Sequence, residues 1–292
     1  MAFHAAHIRF KTILIQAIAA GVACALIFAL PAIAAPAGSE DSDVSNIDLC
    51  NGRNNIDPDK QIQGCTALLD SAEDQRVVSI IYNNRGNAYV GKGQYDRAIK
   101  DYDESIKVNP GYAKAFNNRG VAYEKIGDYD RAIQDFNAAI LIDSTYANAL
   151  ANRAETYLKK GDFQSASKDF DEAVRLQPKL DILWNERCWT RSIAGDLSSA
   201  LADCNAAIQL TPHEAAPFDS RALIYLKTNQ WDAAIADYNA ALKIEPKLAS
   251  ALYGRGLAEL KKGNAAAGNA DIAAAKANNP NVADQFSRYG VK

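Results

Sequence analysis

The sequence predicts an all-α fold, a solenoid of antiparallel helix pairs stacked one on the next. Two observations predict it: a 34-residue pattern occurs six times, and each copy carries helix-ending residues at the same two positions. The copies, units 1 to 6, span 79–112, 113–146, 147–180, 181–214, 215–248 and 249–282. A unit of this length cannot bury its apolar face alone, so neighbouring units must stack.

The first half of each unit predicts a helix that ends in a tight turn. An apolar or aromatic residue at the fourth position and a small residue at the eighth share one helix face, and the small residue lets another helix approach closely. The small residues are Gly86, Gly120, Ala154, Cys188, Ala222 and Gly256. The fifteenth position predicts the turn, because glycine, and after it asparagine, tolerates the left-handed conformation. The turn residues are Gly93, Gly127, Gly161, Gly195, Asn229 and Gly263.

The second half of each unit predicts a helix that starts at the acidic or polar residue after the turn, which can act as an N-cap. An alanine at the twentieth position of units 1 to 5 precedes an aromatic residue by four places in most of them, which gives one apolar face. Proline at the thirty-second position ends the helix in every unit except unit 2, which has Ser144 there.

This spacing of small, aromatic, alanine and proline positions resembles the tetratricopeptide repeat (TPR), and the resemblance covers residues 79–282. TPR proteins are right-handed superhelical scaffolds that bind peptides in a concave groove, and few are enzymes. The resemblance therefore implies an interaction scaffold of that architecture, whose first helices line the groove.

The first 34 residues have the features of a secretory signal peptide of an exported bacterial protein. Arg9 and Lys11 precede an apolar run over residues 12–30, and an Ala-x-Ala cleavage site follows. We expect cleavage after Ala34, with Ala37 as the alternative site. Because the apolar run is long, an uncleaved membrane anchor is a second interpretation. Both interpretations place the repeats outside the cytoplasm, in the periplasm or secreted.

The segment 35–46 is rich in polar and small residues and predicts a flexible linker. Removal of residues 1–34 leaves 30 basic against 35 acidic residues, a mildly acidic balance. Phosphate binding needs a basic stripe, so nucleic acid is not the expected partner. We expect a protein or peptide partner, and contact with a membrane only if the N-terminal segment stays attached.

Four cysteines in the chain after residue 34 form two pairs with hairpin spacing. Cys188 and Cys204 are equidistant from Asp196, beside the turn of unit 4, and Cys50 and Cys65 are equidistant from the turn at 57–58. Together with the signal peptide, this spacing predicts two disulfides and a stapled helical hairpin over residues 47–72. The alternative is four small buried thiols.

Charged residues occupy the same two positions in every unit, with arginine seventh and aspartate twenty-third. Within each unit the two residues are equidistant from the turn, so we expect them to pair across the hairpin or with the adjacent unit. A partly buried charge needs such a partner. The pattern therefore predicts scaffold pairs rather than a ligand site.

Asparagines that occur in only some units are the candidate peptide-binding residues. An amide carries donors and an acceptor, so a row of amides can bond an extended peptide backbone without demanding particular side chains. This is similar to the asparagine ladders of peptide-binding TPR proteins, and the alternative is that these side chains only cap or solvate the helices. The candidates are Asn83, Asn84, Asn87, Asn117, Asn118, Asn152 and Asn185.

Trp189, at the ninth position of unit 4, has two interpretations: an aromatic anchor in the groove, or packing beside the Cys188 disulfide. The last unit carries polar residues on its second helix where other units are apolar, as a terminal repeat should. Residues 283–292 predict either a tail or a short helix through Phe286 and Tyr289.

The sequence therefore predicts a non-enzymatic scaffold that binds an extended peptide segment. The chain after residue 34 has no GxSxG elbow, no phosphate-binding glycine loop and one histidine, His213, so no catalytic residue, metal or cofactor is expected. Two alternatives stay open: a membrane-tethered adaptor of envelope assembly, and a binder of a small molecule or glycan.

Overall fold

A computed structural model describes residues 45–52 and 56–291. The predicted signal peptide and all of the linker except 45–46 lie outside the described residues. The described residues form helices joined by short turns, and no strand. In chain order the helices are α1 (Asn46–Asn51), α2 (Pro58–Leu69), α3 (Gln75–Gly91), α4 (Tyr95–Val108), α5 (Ala113–Lys125), α6 (Tyr129–Ile142), α7 (Ala147–Lys160), α8 (Phe163–Leu176), α9 (Asp181–Ala194), α10 (Leu197–Leu210), α11 (Ala215–Lys227), α12 (Trp231–Ile244), α13 (Ala249–Lys261), α14 (Ala265–Asn278) and α15 (Val282–Arg288).

Units 1 to 6 are the helix pairs α3–α4 to α13–α14, and each pair packs on the next in chain order. The fold is thus the all-α solenoid that the period predicts. The first helix of unit 1 differs from the prediction, because it begins at Gln75 rather than Ser79. Asp74 accepts hydrogen bonds from the backbone N–H groups of Arg76 and Val77, and this N-cap starts the helix one turn early.

The turn between the two helices of each unit has the conformation that its residues predict. All six turn residues have positive φ, including Asn229 at 59°. The second helices start as predicted in three units, where Asp128, Asp162 and Asp196 accept a backbone N–H three residues ahead. These local signals account for the regular length of the hairpins.

The core of each hairpin is a small residue of the first helix packed against a large one of the second. A Cβ added at Gly120 would lie 2.7 Å from the ring of Phe136, and one added at Gly86 would lie 2.6 Å from the ring of Tyr102. In unit 4 a disulfide takes the place of this contact: Cys188 is bonded to Cys204 across the hairpin, with the Cα atoms 5.3 Å apart.

The arginine and aspartate rows pair as scaffold. Arg119 donates from Nε and from one terminal nitrogen to the carboxylate of Asp135 at 2.8 and 2.7 Å, and the other units repeat this fork. Its other terminal nitrogen donates to Asp103 of the preceding unit at 2.6 Å. The predicted pair therefore forms across the hairpin, and the arginine also ties that hairpin to the preceding unit through Asp103, a partner that was not predicted.

The N-terminal helices α1 and α2 form a further hairpin that packs on α3. Cys50 and Cys65 are bonded across it, with their Cα atoms 4.5 Å apart. Gly64 lies against α1, and Arg85 of unit 1 donates to Thr66 at 3.1 Å. The hairpin thus covers the N-terminal end of the stack, at unit 1. Over residues 45–52 and 56–291, no helix has the length and apolarity needed to cross a membrane.

Candidate peptide-binding groove

The first helices of successive units contact one another, as in α3 with α5, α5 with α7, α9 with α11, and α11 with α13. They therefore form the inner row of the stack. Their fifth, ninth and thirteenth positions share one helix face because they are four residues apart, and the sixth position, three residues before the ninth, borders this face. This surface is the inner groove.

The predicted asparagines lie together at the start of this row, where they hydrogen-bond to one another. Five amide–amide bonds connect six asparagines of α1, α3, α5 and α7, which form the asparagine ladder. Asn152 donates to Asn117 (2.9 Å), Asn117 to Asn118 (3.1 Å), Asn118 to Asn83 (2.9 Å), Asn83 to Asn84 (3.4 Å) and Asn84 to Asn51 (3.4 Å). The ladder links neighbouring units, and Asn51 is a member that the sequence pattern does not indicate.

The members of the ladder differ in what they leave free for a ligand. Asn83 and Asn117 are 3% and 5% exposed, so they act between the units. Asn118 uses its amide nitrogen twice, donating to Asn83 and also to Asn87 at 3.1 Å. Asn84 and Asn152 are half-buried, and each donates once although an amide nitrogen carries two N–H groups.

Asn87 is the most accessible of the predicted residues. Its side-chain oxygen accepts from the Tyr102 hydroxyl at 2.7 Å and from Asn118, and within the described residues its amide nitrogen has no acceptor. Asn84, Asn87 and Asn152 therefore retain N–H groups on the inner groove. Hydrogen bonds with Asn83, Asn117 and Asn118 hold these three in place.

The ladder ends at Asn152 because Ala151 has no polar side chain to continue it. The last predicted asparagine, Asn185 in unit 4, is 4% exposed and accepts from the Ser220 hydroxyl at 3.0 Å. It belongs to the contact between α9 and α11 and lies apart from the ladder.

Trp189 lies in the inner groove, where it packs against the C-terminal end of the chain. It is 8% exposed, and the ring of Tyr289 meets it edge-on, with ring centroids 5.6 Å apart. The apolar side chains of units 3 and 4 surround it, whereas the Cys188–Cys204 disulfide belongs to a separate cluster. Trp189 is thus a packed residue, with its apolar neighbours in units 3 and 4 and at Tyr289. Of the two predictions for the end of the chain, the short helix is observed, as α15.

A charged pair on α5 and α7 is a feature of the groove that sequence reasoning missed. Glu124 is 8% exposed, forms an ion pair with Lys159 and accepts from the Thr156 hydroxyl at 3.2 Å. Glutamate at the twelfth position of one unit and lysine at the thirteenth of the next are the signal that could have found it. The pair places fixed charges next to the asparagine ladder.

Asp219, at the fifth position of unit 5, was missed as well. Burial raises the pKa of its carboxyl group to about 7, although the Ser250 hydroxyl donates to it at 2.7 Å and opposes the shift. The buried Tyr238 hydroxyl, which has no hydrogen-bond partner within the described residues, adds to this polar site between units 5 and 6.

Comparisons with known proteins agree with this geometry. Models of the tetratricopeptide repeat match residues 83–149 and 147–180, and a model of the TPR repeat matches residues 222–263. A comparison with curated protein sequences found no match.

Several solved structures resemble the described fold over most of their own length. The structure of YrrB, described as a TPR protein with an unusual peptide-binding site, is 20% identical with a TM-score of 0.57, over 66% of this chain and 98% of its own. A tetratricopeptide repeat protein from Parabacteroides merdae is 17% identical with a TM-score of 0.62, over 84% of this chain and 98% of its own. PilF of Pseudomonas aeruginosa is 14% identical with a TM-score of 0.62, over 75% of this chain and 100% of its own.

These identities show a shared fold and nothing finer. The family matches carry more, because they cover units 2 and 3 and parts of units 1, 5 and 6, whose hairpins, turns and arginine–aspartate pairs the structure contains. The chain is a tetratricopeptide repeat protein.

Proposed function

We propose that this protein is a non-enzymatic scaffold that holds an extended peptide segment of a partner protein along α3, α5 and α7, in the periplasm or outside the cell. The observation that carries the proposal is the set of N–H groups that Asn84, Asn87 and Asn152 leave unused on the inner groove. A row of amide donors suits the carbonyl groups of an extended backbone, which recur whatever the peptide sequence.

The family and the neighbouring structures support the coarser part of this function. A stack of helix pairs with a polar inner row is an interaction scaffold, and YrrB is described as having a peptide-binding site. For the finer part, the ladder itself is the support. Its internal hydrogen bonds fix the positions of the donors before a ligand arrives, so little conformational entropy is lost on binding.

The experiment tests the three donors together. Peptides selected from a library of unstructured peptides on the wild-type protein are measured against the N84A/N87A/N152A variant. Each lost hydrogen bond is worth about 1 kcal/mol, so we expect affinity to fall roughly tenfold to a hundredfold. The matched control is Asn269→Ala, at an exposed asparagine of α14 outside the groove. Equal affinity of the triple variant and the control would refute the peptide site.

Export is the second part of the proposal. Two disulfide-bonded cysteine pairs support an oxidising compartment, since cytosolic proteins rarely keep such bonds. N-terminal sequencing of the protein from its native envelope is the test. A start near Ala35 supports a free protein, an intact start at Met1 supports the membrane-tethered adaptor, and recovery of the unprocessed protein from the cytosol would contradict export.

A further inference from the structure

The chain after α14 turns back and lies in the inner groove of units 4 to 6. This C-terminal segment, residues 282–291, contains α15 and the turn that follows it. Val282 is fully buried and Phe286 is 3% exposed. The ring of Phe286 lies 4.9 Å from that of Tyr253 in unit 6, and Tyr289 reaches Trp189 in unit 4. The segment therefore crosses the first helices of three units.

The middle row of the groove beneath the segment, formed by the ninth positions, is apolar, in contrast to the half that holds the asparagine ladder. The ninth position is mixed or polar in units 1 to 3 and apolar in units 4 to 6. In order its residues are Asn87, Val121, Glu155, Trp189, Leu223 and Leu257.

The thirteenth position changes in the same place. Unit 4 has Ile193 there, whereas units 2, 3, 5 and 6 have lysine. Trp189 and Ile193 are four residues apart on α9 and share one helix face. Both belong to the apolar cluster that contains Tyr289. The chain thus departs from its own repeat where the segment makes contact.

The segment has the anchor spacing of a helix bound in a groove. Val282, Phe286 and Tyr289 stand at i, i+4 and i+7, the pattern that an amphipathic helix presents to an apolar surface. Asp284 and Arg288 are exposed. At Gly290, with φ of 78°, the N–H groups of Gly290 and Val291 donate to the carbonyls of Ser287 and Phe286, a Schellman end that turns Val291 back toward the groove.

A seven-residue helix is not stable by itself in water. The contacts with the groove therefore stabilise α15. A partner helix with similar anchors and more contacts would displace it from the groove. We propose that the inner groove of units 4 to 6 is a second binding site, for a partner helix with an apolar and two aromatic anchors at i, i+4 and i+7. The C-terminal segment is its competitor within the same chain. This site differs from the asparagine ladder both in position and in ligand, a helix rather than an extended strand.

The test uses the segment itself as the probe, as a synthetic peptide of residues 279–291. The chain has three tryptophans, so W184F/W231F leaves Trp189 as the only tryptophan, whose emission is excited selectively over that of tyrosine. In this background we compare the full chain with a chain that ends at Asn281. We expect the shortened chain to bind the peptide with a blue shift of Trp189 emission, and the full chain to bind it at least tenfold more weakly. A peptide with both aromatic residues replaced by serine is the control and should not bind.

Several results would overturn the proposal. One is a shortened chain that keeps its helical circular dichroism and does not bind the peptide, and another is equal binding to both chains. A dimer of the full chain that forms with concentration would show that the segment docks on a second copy. If the shortened chain does not fold, the full-length F286S/Y289S variant takes its place. If that variant does not fold either, the segment is a cap needed for folding, and the proposal is wrong.

The two proposed sites can fail independently. The N84A/N87A/N152A variant should bind the 279–291 peptide as its parent does, since none of its changes contacts the C-terminal segment. Removal of the segment should likewise leave binding of extended peptides unchanged.

Discussion

At the scale of single residues, Asp219 stands where units 1, 2 and 4 carry a buried asparagine. It is a carboxyl group in a site that elsewhere holds a neutral amide. Tyr238 and Glu245 lie near it, and burial raises the pKa of Glu245 as well. The site therefore favours a protonated acid and makes folding depend on pH.

The expected direction follows from the pKa of Asp219, about 7 in the folded chain against 3.8 for an ordinary aspartate. Its contribution to stability is complete below about pH 4 and is lost as pH rises to about 7, because the unfolded chain releases the proton earlier. Asp219→Asn should raise the free energy of unfolding at pH 8 by about 4 kcal/mol, the equivalent of this pKa shift, and change it little at pH 4. Urea unfolding between pH 4 and 8 measures this effect.

The control for this prediction is Glu245→Gln, which removes the neighbouring acid and leaves Asp219 in place. We expect it to reduce the pH dependence less than Asp219→Asn does. An unchanged slope of stability against pH in the Asp219→Asn variant would show that Asp219 is not the titrating group.

Arg119 is an example, at the same scale, of how the arginine and aspartate rows stabilise the hairpins. Its partner Asp135 is 5% exposed, and burial raises the pKa of this carboxyl group even beside the guanidinium. Removing the arginine alone leaves a buried charge without its partner, which costs much more than removing both residues.

We therefore expect Arg119→Ala to lower the free energy of unfolding by about 3 kcal/mol, and the R119A/D135A double variant to lose less. Chemical denaturation of Arg119→Ala, Asp135→Ala and the double variant completes the double-mutant cycle that measures this coupling. If the two single changes simply add, the pair is not coupled and the structural interpretation of the two rows is wrong.

At the scale of the hairpin, unit 4 fills the space between its two helices with a disulfide, where most other units have an aromatic ring. Cys188 and Cys204 occupy the positions where other units place a small residue against an aromatic one, such as Gly120 against Phe136. Both solutions fill the same space, so one should replace the other.

We expect the C188A/C204F variant to fold with a stability close to that of the wild type, because it restores the small and aromatic pair of the other units. The C188A/C204A variant loses both the bond and the volume and should be less stable by about 3 kcal/mol. Thermal unfolding without reductant compares them. Equal losses in the two variants would mean that the bond, and not the filled volume, is what unit 4 needs.

At the scale of the whole described region, the solenoid has two ends that are held differently. The N-terminal hairpin covers unit 1, while the C-terminal segment connects unit 6 to unit 4. A stack whose units contact only their neighbours responds locally to damage, but a segment that bridges several units joins them into one cooperative block.

Hydrogen exchange should show this difference. In the C50A/C65A variant we expect faster amide exchange, by about tenfold, in α1 to α3 and little change in α11 to α14. In the F286S/Y289S variant, exchange should rise together across α9, α11 and α13. A uniform rise in exchange over all units in either variant would show that the two ends of the solenoid are not held independently.

Much of this architecture could be predicted because its causes are local. The glycine turns, the arginine–aspartate pairs and the cysteine spacing all act within one hairpin, between residues at most 16 positions apart, such as Cys188 and Cys204. Of the candidate site, the sequence indicates which asparagines face the inner row. It does not indicate that Asn83 and Asn117 are buried and hydrogen-bonded to neighbouring asparagines.

The sequence by itself therefore determined the repeat, the hairpins and the positions that line the groove, since a period of 34 residues specifies how each unit meets the next. Only the tertiary structure decided that Asn152 reaches back to Asn117, and that Tyr289 meets Trp189. The physical reason is that the first contact depends on the side-chain packing between two stacked units, and the second on the curvature that small rotations add up to over several units; neither is written in a single copy of the repeat.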